Sequence, residues 1–217
     1  MSSAMIDLIL KATLDTLYMV AVSGVIAALV GIPLGVLLYV TRPRQILAEP
    51  LLNQVLGAIT NIGRSIPFII LMVAIIPFTR MLVGSSIGTN AAAVPLTIAA
   101  IPFVARLVEG ALNEVPPGLV EAAQSMGATP WQIITKVLVP EARGGIFTAL
   151  TVTAVTLVSY SAMAGAVGGG GLGDLGIRYG YNRFNPTIML ITVVILVVMV
   201  QGFQSLGDYL VRKSDHK

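Results

Sequence analysis

The sequence has no cysteine, a single histidine and few charged residues, and each shortage excludes a class of protein. Without cysteine the chain forms neither disulfides nor thiolate metal sites. His216 lies in a charged tail and suits a solvated residue, so we expect no metal site. Charged residues make up 11% of the chain and hydrophobic residues 56%, with a mean hydropathy of +0.90. Since about a quarter of residues are charged in soluble domains, this composition indicates an integral membrane protein.

Long uncharged stretches predict the membrane spans. Four of them, each longer than the ~20 residues that cross hydrocarbon as a helix, cover residues 16–41, 81–105, 144–173 and 184–207. A fifth, 55–78, contains Arg64, whose long stem reaches an interface if the headgroups are near. We therefore predict an all-α integral membrane protein with about five transmembrane helices in a single domain, 1–217. The expected spans are 16–40, 55–78, 87–105, 146–167 and 186–206, preceded by an amphipathic lead-in at 1–15.

The distribution of lysine and arginine predicts the orientation, because cytoplasmic loops are enriched in both. Five spans place the two termini on opposite sides. With the N-terminus outside and the C-terminus in the cytoplasm, eight basic residues lie inside and four outside. The inner ones are Arg42, Arg44, Arg106, Lys136, Arg143, Arg212, Lys213 and Lys217, and the outer ones are Lys11, Arg80, Arg178 and Arg183. The same choice places Glu121 in the cytoplasm.

The polar region 106–145 between two spans predicts a helical hairpin. Its first helix begins at Pro116-Pro117-Gly118, and an apolar stripe then recurs at helical spacing through Leu119, Ala122, Ala123 and Met126. Gly127 is the residue that most readily ends a helix in a left-handed conformation. Thr129 and Gln132 read as a capping box that begins a second helix. We expect that helix to end at Pro140, which has no backbone N–H.

The spacing of this hairpin resembles the cytoplasmic loop of ABC importer permeases of the type I, EAA-loop family. The pattern is Glu121-Ala122-Ala123, three residues, Gly127, nine residues, then Val137-Leu138-Val139-Pro140, with valines where the family usually has Ile and Leu. The resemblance implies that the loop is a coupling helix that docks on a separate ATPase. The residues that it assigns to ATPase coupling are Glu121, Ala122, Ala123, Gly127 and Pro140.

Three further segments make the resemblance narrower. The segments 64–68, 159–163 and 168–173, together with the chain length, resemble methionine importer permeases along nearly the whole sequence. That likeness implies a permease subunit that provides the path for methionine, or a related small amino acid, across the bacterial inner membrane by alternating access. It also implies two ATPase subunits and an extracytoplasmic substrate-binding protein as partners.

Independently of the resemblance, the sequence indicates that another chain supplies the energy for transport. The chain contains no Gly-Lys dipeptide, so it has no Walker A loop. We therefore expect a transport subunit that is not an enzyme and has no cofactor of its own, with ATP bound and hydrolysed by the partner. Five spans are few for a closed path, which favours a homodimer with the path on its two-fold axis.

Ser159, Tyr160, Ser161 and Met163 form the most polar patch within a predicted span. Polar groups in hydrocarbon need partners or a water-filled path, so these residues are candidates for the translocation path. The alternative is hydrogen bonding between helices, with methionine as core filler. In the second span, Asn61 and Arg64 either line a pore or, as we prefer, anchor its inner end.

Gly168, Gly170 and Gly173 match the G-x-G-x-x-G pattern of dinucleotide-binding loops. That motif needs a strand before it and a helix after it, and no strand is expected here. Two interpretations remain open: a flexible outer loop, or an outer gate that also docks a binding protein, for which glycine allows the backbone reversals.

Other functions fit the sequence less well. An ion-coupled secondary transporter, the main alternative, normally keeps carboxylates or histidines within the membrane. Every Asp, Glu and His falls outside the predicted spans, although backbone carbonyls remain able to hold sodium. The sequence contains no catalytic motif of a membrane enzyme, since no HExxH or carboxylate pair occurs. Residues 109–143 carry four acidic and two basic residues, the reverse of what nucleic-acid binding needs.

Overall fold

The computed structural model describes residues 3–214, and every regular element in that range is helical. His216 and Lys217, which entered the sequence predictions, lie outside the described residues. In chain order the helices are α1 Ser3–Val40, α2 Pro50–Ser65, α3 Phe68–Ala74, α4 Ile76–Val83, α5 Thr89–Asn113, α6 Pro117–Ser125, α7 Pro130–Ile133, α8 Val139–Glu141, α9 Arg143–Ala166, α10 Gly171–Leu175 and α11 Pro186–Ser214. Two π-helical segments, Ile134–Leu138 and Gly176–Tyr181, follow α7 and α10.

Four of these helices are long and apolar enough to cross a membrane: α1, α5, α9 and α11. The pair α2 and α3 makes a fifth span if it is counted as one, although the two helices are bent by 99°. The prediction of an all-α membrane protein with about five spans is therefore confirmed.

The first helix differs from its prediction. The expected lead-in at 1–15 is not a separate element, because α1 runs unbroken for 38 residues from Ser3. Its first turns are amphipathic, as predicted, with Asp7 and Lys11 exposed. Ile9 and Ala12 are buried in a small apolar cluster with residues from α10 and α11. The charged residues lie on the outer face and so do not interrupt the helix.

The second span was predicted as one continuous segment, 55–78, and this is wrong. The chain leaves α2 at Ile66, which is extended with φ −81° and ψ 121°. Pro67 explains the break, because proline disfavours a helical conformation in the residue before it. Two short helices, α3 and α4, then complete this part of the chain, and Gly84 ends α4 in a left-handed conformation.

Two other helices extend past the boundaries that were predicted. The third span was expected to end at residue 105, but α5 continues to Asn113, and α11 continues past 206 to Ser214. A charged side chain lowers hydropathy without affecting the backbone hydrogen bonds that propagate a helix. As a result Arg106 and Glu109 belong to α5.

The core lies between α1, α5 and α9, where Met19, Leu96 and Leu157 are almost fully buried. Close contact of α1 with α5 depends on a small residue, since a Cβ on Gly31 would lie 2.7 Å from the Cβ of Val104. The bundle has two ends. We call the one where α1, α5 and α11 finish the hairpin end (residues 41–49, 106–143 and 208–214), and the opposite one the glycine end (84–88 and 167–185).

Candidate functional site

The hairpin at residues 117–141 begins as predicted. Gly127 follows α6 with a φ of +77°, in the left-handed region. The capping box at the next helix is present: the Thr129 N–H donates to Gln132 Oε1 at 2.9 Å, and the Gln132 N–H donates to Thr129 Oγ1 at 3.4 Å. Both local predictions are confirmed, and together they fix the turn between the two arms.

The buried face of α6 is not the predicted stripe. Val120 and Ala123 are buried and belong to the core cluster that includes Ile133 and Leu138 of the second arm. Of the stripe, Ala123 alone is buried. The outward side of the hairpin carries residues that we call the hairpin surface: Leu119, Glu121, Ala122, Met126 and Trp131, all exposed.

Large apolar side chains on the hairpin surface are unusually accessible. Met126 is 81% exposed and Trp131 72% exposed. Exposed apolar groups with polar neighbours typically mark sites of protein interaction. The surface also lies beyond the membrane-spanning helices, where a water-soluble partner has access to it.

Pro140 does not end the second arm, contrary to the prediction. The helical path continues through α8, the Ala142 N–H donates to Leu138 O at 2.9 Å, and α9 begins at Arg143. The preceding turn is a π-helical segment, Ile134–Leu138. The wider turn accommodates a proline that lacks the N–H donor and would clash with the carbonyl of an ordinary preceding turn. The hairpin is thus joined directly to α9.

The predicted path residues lie on different faces of α9. Ser159 and Met163 are exposed on one face. Ser161 is buried, and its Oγ donates to Val158 O at 2.7 Å. Tyr160 stacks on Phe68 of α3, with ring centroids 4.6 Å apart and planes at 6°. Two of the four residues therefore face open space.

Sequence reasoning missed a second polar residue, Gln201, that lines the same groove as Ser159. A groove of about 440 Å³ between α9 and α11 is lined by Ser159 and Gln201 among apolar residues such as Val158 and Leu196. Gln201 lies near the middle of α11 and is exposed. An amide in the middle of an uncharged stretch was the available signal. A second cavity, about 320 Å³, lies nearer the hairpin and is lined by Arg106, Gly110, Glu114 and Thr148.

Sequence reasoning also missed a buried cluster of charges at the hairpin end. The Glu109 side chain is 4% exposed and accepts from two arginines at 2.6 Å, Arg42 of the α1–α2 connection and Arg106 of α5. Arg42 also donates to Asn113 Oδ1 at 3.0 Å. Arg106 donates to Gly57 O and Asn61 Oδ1 of α2, each at 2.9 Å. The i, i+3 spacing of Arg106 and Glu109 was the only signal in the sequence.

Glu109 is an exception to the expectation that every acidic residue lies outside the spans, which counted against secondary transport. It lies within α5, but both of its oxygens are occupied by guanidinium groups. Within residues 3–214, moreover, no three His, Asp or Glu side chains come together in a way that would hold a metal ion.

The glycine segment, residues 168–173, is packed, and it becomes helical only from Gly171 onward. Gly168 and Gly170 have φ of +90° and +80°, and α10 follows. The Leu172 N–H donates to the buried Thr16 Oγ1 at 2.8 Å, and the Gly88 N–H donates to Gly168 O at 2.9 Å. These contacts pack the segment against the bundle, and both interpretations of its function stay predictions. On its outer side an exposed ion pair joins Arg178 to Asp174 at 2.7 Å.

The chain is similar to proteins of known families along most of its length. Residues 31–216 match the model of the binding-protein-dependent transport system inner membrane component. The chain is 64% identical over 211 residues to the "Probable D-methionine transport system permease protein MetI" of Vibrio cholerae, covering 97% of this chain and 94% of that protein. It is 57% identical over 165 residues to the D-methionine transport system permease protein MetI of Escherichia coli strain K12, covering 76% of each.

Solved structures agree. A chain of the MetNI methionine ABC transporter, in an inward-facing conformation, superposes with a TM-score of 0.97 at 54% identity, and all of both chains is covered. A chain from an amino acid ABC transporter has a TM-score of 0.79 at 21% identity, covers 97% of this chain and shows the shared fold alone. With the hairpin spacing, the bundle and these relatives in agreement, the chain belongs to the inner membrane components of binding-protein-dependent transport systems, the permease subunits of ABC importers.

Proposed function

We propose that this chain, as a homodimer, provides the path by which methionine or a related small amino acid crosses the bacterial inner membrane. A separate ATPase, present in two copies, drives alternating access, and an extracytoplasmic binding protein delivers the substrate. The substrate assignment follows the relatives, two of which carry D-methionine in their names.

The hairpin surface is the observation that carries the proposal. In a chain whose long helices are built for lipid, it presents apolar side chains such as Trp131 to water. Small Ala122 beside Glu121 lets another protein's backbone approach. A partner that covers this surface would move α5 and α9, because the hairpin connects directly to both. We propose Glu121, Ala122, Ala123, Gly127 and Pro140 as the coupling residues, with Ala123 and Pro140 acting through the fold of the hairpin.

An exposed polar side chain near the middle of α11 supports the homodimer. Helix α11 buries Ile188, Thr192 and Gly207, whereas Gln201 faces an open groove near mid-helix. Lipid offers an amide no hydrogen-bond partner, so such a group is normally covered by protein or lines a water-filled cavity. Ser159 and Met163, on the exposed face of α9, are the proposed path residues, with Tyr160 behind them. Ser161 would support the path from within the helix.

The orientation follows the basic residues. The hairpin end carries Arg42, Arg44, Lys136, Arg143, Arg212 and Lys213, and we propose that it faces the cytoplasm, with the N-terminus outside. The glycine end then meets the binding protein, and Gly168, Gly170 and Gly173 form part of the outer gate. No cofactor belongs to this subunit, and ATP is bound and hydrolysed by the partner.

The test of substrate is uptake into proteoliposomes that contain this chain, the matching ATPase and the binding protein. We expect ATP-dependent accumulation of labelled methionine, with L- and D-methionine compared directly. Uptake that persists without ATP but requires a sodium or proton gradient would overturn the proposal in favour of the ion-coupled alternative.

The test of coupling is a pull-down from native membranes in mild detergent. We expect the tagged chain to retain a Walker A-bearing ATPase and Glu121→Ala to lose it or to separate ATP hydrolysis from uptake. Asp7→Ala is the matched control, because it removes an acidic residue that is also exposed, at the other end of the bundle. Normal ATP-driven uptake by Glu121→Ala and Gly127→Val would contradict the assignment.

A further inference from the structure

The buried carboxylate of Glu109, near the hairpin end, pairs with one arginine from the α1–α2 connection and with one from its own helix. Its Oε1 accepts from Arg42 Nε at 3.0 Å and Nη2 at 2.6 Å, and its Oε2 accepts from Arg106 Nη1 at 2.6 Å. Arg42 lies two residues after α1, so the carboxylate links the end of α1 to α5. Both oxygens are used, and the side chain is almost wholly shielded from solvent.

Arg106 extends this link to α2. Nη1 of its planar guanidinium donates to Glu109, and Nη2 donates to Gly57 O and Asn61 Oδ1. The rigid fork of arginine holds several acceptors in a fixed geometry, which lysine does not. Asn53 adds an independent link, because its Nδ2 donates to Leu38 O at 2.6 Å and to Thr41 Oγ1 at 3.0 Å.

The physical chemistry of such a cluster favours a permanent contact over one that opens in every cycle. Removing one partner from a buried ion pair leaves a charge uncompensated, which is strongly destabilising. States that interconvert during transport must instead lie close in free energy. Helices α2 and α5 are also in direct contact beside the ion pairs. A Cβ on Gly63 of α2 would lie 3.2 Å from Cγ of Pro102 in α5, and neither residue has a flexible side chain.

The position of the cluster relates it to the hairpin. Glu109 lies one turn before Asn113, where α5 ends, and α6 begins at Pro117. Any displacement of the hairpin reaches α5 at this turn first. The cluster is therefore placed to pass that displacement sideways, to α1 and α2, before it travels along α5.

We propose that Glu109, Arg42 and Arg106 are positioning residues that make α1, α2 and α5 move as one rigid body when the ATPase moves the hairpin. The inference rests on the proposed function, and it adds that the boundary which opens in transport does not run between α2 and α5. In this chain, the cluster fixes α2 to α5, so the two helices move together.

A disulfide across α2 and α5 tests this directly, because the chain contains no cysteine. A Cβ on Gly63 would lie 3.5 Å from Pro102 Cβ, within the range that a disulfide spans. We expect Gly63→Cys with Pro102→Cys to cross-link equally fast in the nucleotide-free and ATP-bound complexes, and the oxidised protein to keep its uptake. Each single-cysteine variant is the control for oxidation itself. Cross-linking in one state only, or uptake that stops on oxidation and returns on reduction, would overturn the proposal.

A second test remains usable if the cysteine variants fail to fold. Arg106→Lys retains a positive charge beside Glu109 but loses the fork to α2, and Asn61→Ala removes one of its acceptors. Losing a hydrogen bond to a charged group shifts an equilibrium on the order of tenfold, so we expect uptake per ATP hydrolysed to fall about tenfold for Arg106→Lys. Subunit assembly and the ATPase rate should stay unchanged.

The control is Arg178→Lys, which makes the same replacement in the exposed ion pair of the glycine end. If Arg106→Lys and Asn61→Ala keep the unmodified ratio of uptake to ATP hydrolysis, the cluster does not transmit movement and the inference is wrong. Absence of ATP-driven uptake by the unmodified protein would instead contradict the proposed function, so the two failures are distinguishable.

Discussion

The two ends of this bundle are held together by different kinds of contact. At the hairpin end, side chains reach across gaps: two arginines meet Glu109, and one of them continues to α2. At the glycine end the backbone itself is in contact, as where the Gly88 N–H donates to Gly168 O at 2.9 Å. A methyl group added at Gly127 of the hairpin meets no atom within 4 Å, whereas the close packing at the glycine end leaves no room for one at Gly171. The comparison predicts that the hairpin glycine tolerates an added side chain far better than a glycine of the glycine end.

Both ends leave large apolar side chains uncovered. Around α10 the apolar side chains of Leu172 and Leu175 are buried inside the protein, but Phe184 of the same end is 88% exposed. On the hairpin, Met126 and Trp131 are the most exposed large apolar residues. Each end therefore presents a surface that a further protein would cover.

The largest effect is expected where a glycine combines a left-handed conformation with close contact. Gly171 has a φ of +74°, and a Cβ there would lie 2.6 Å from Thr16 Oγ1. Backbone strain and overpacking each cost roughly 1–3 kcal/mol, so Gly171→Val should destabilise the purified permease by about 3 kcal/mol or more. Thermal unfolding in detergent, followed by size-exclusion chromatography, measures this. If Gly171→Val melts at the same temperature as the unmodified chain, the predicted difference in tolerance between the two ends is wrong.

The next effect should appear in binding and not in stability. A buried tryptophan at an interface typically contributes about 2 kcal/mol or more. Trp131→Ala should therefore weaken association with the ATPase about 30-fold, while the permease alone melts unchanged. Titration of the ATPase against immobilised permease checks the affinity. Tyr181→Ala, at an aromatic residue exposed to a similar extent at the glycine end, should leave it unaltered.

A smaller effect is expected at the hairpin glycine. Gly127 has a φ of +77° but no atom within 4 Å of the position of a Cβ. Gly127→Ala therefore incurs the left-handed penalty alone, about 1 kcal/mol. Compared with Gly171→Ala by the same melting assay, it should be clearly the milder change. Equal losses would show that contact with Thr16 contributes nothing.

The smallest effect is expected at the outer ion pair. The Arg178 side chain is 61% exposed and that of Asp174 22% exposed, and solvent screens such pairs to about 0–1 kcal/mol. Asp174→Asn should leave the melting temperature and uptake within experimental error. A large loss of uptake at unchanged stability would instead indicate that Asp174 contacts the binding protein.

Local signals in the sequence were sufficient for the hairpin turn and the number of spans. Thr129 and Gln132 cap a helix through bonds between residues three apart, and Gly127 needs no distant partner for its left-handed turn. Uncharged stretches located the long helices because hydrocarbon thickness sets their length. These features depend on neighbouring residues or on the membrane.

The errors arise where a distant residue decides the outcome. Glu109 is buried within α5 with its charge compensated by Arg42, a residue 67 positions earlier in the chain. The first turns of α1 are held by residues of α10 and α11, which hydropathy does not reveal. At Pro140 a π-helical turn replaces the expected helix end. The groove that Ser159 and Gln201 both line likewise forms only when two helices are placed side by side.

The bond between Thr16 and Leu172 also has a consequence for how the protein is made. Its two residues are 156 positions apart, so at 5–20 residues per second the ribosome needs about 8 to 30 s to supply the second after the first. During that interval α1 is already in the membrane while its buried hydroxyl and the apolar face around Ile9 wait for α10. The N-terminal helix therefore finishes folding among the last elements, and insertion of the C-terminal segments is the step that closes the bundle.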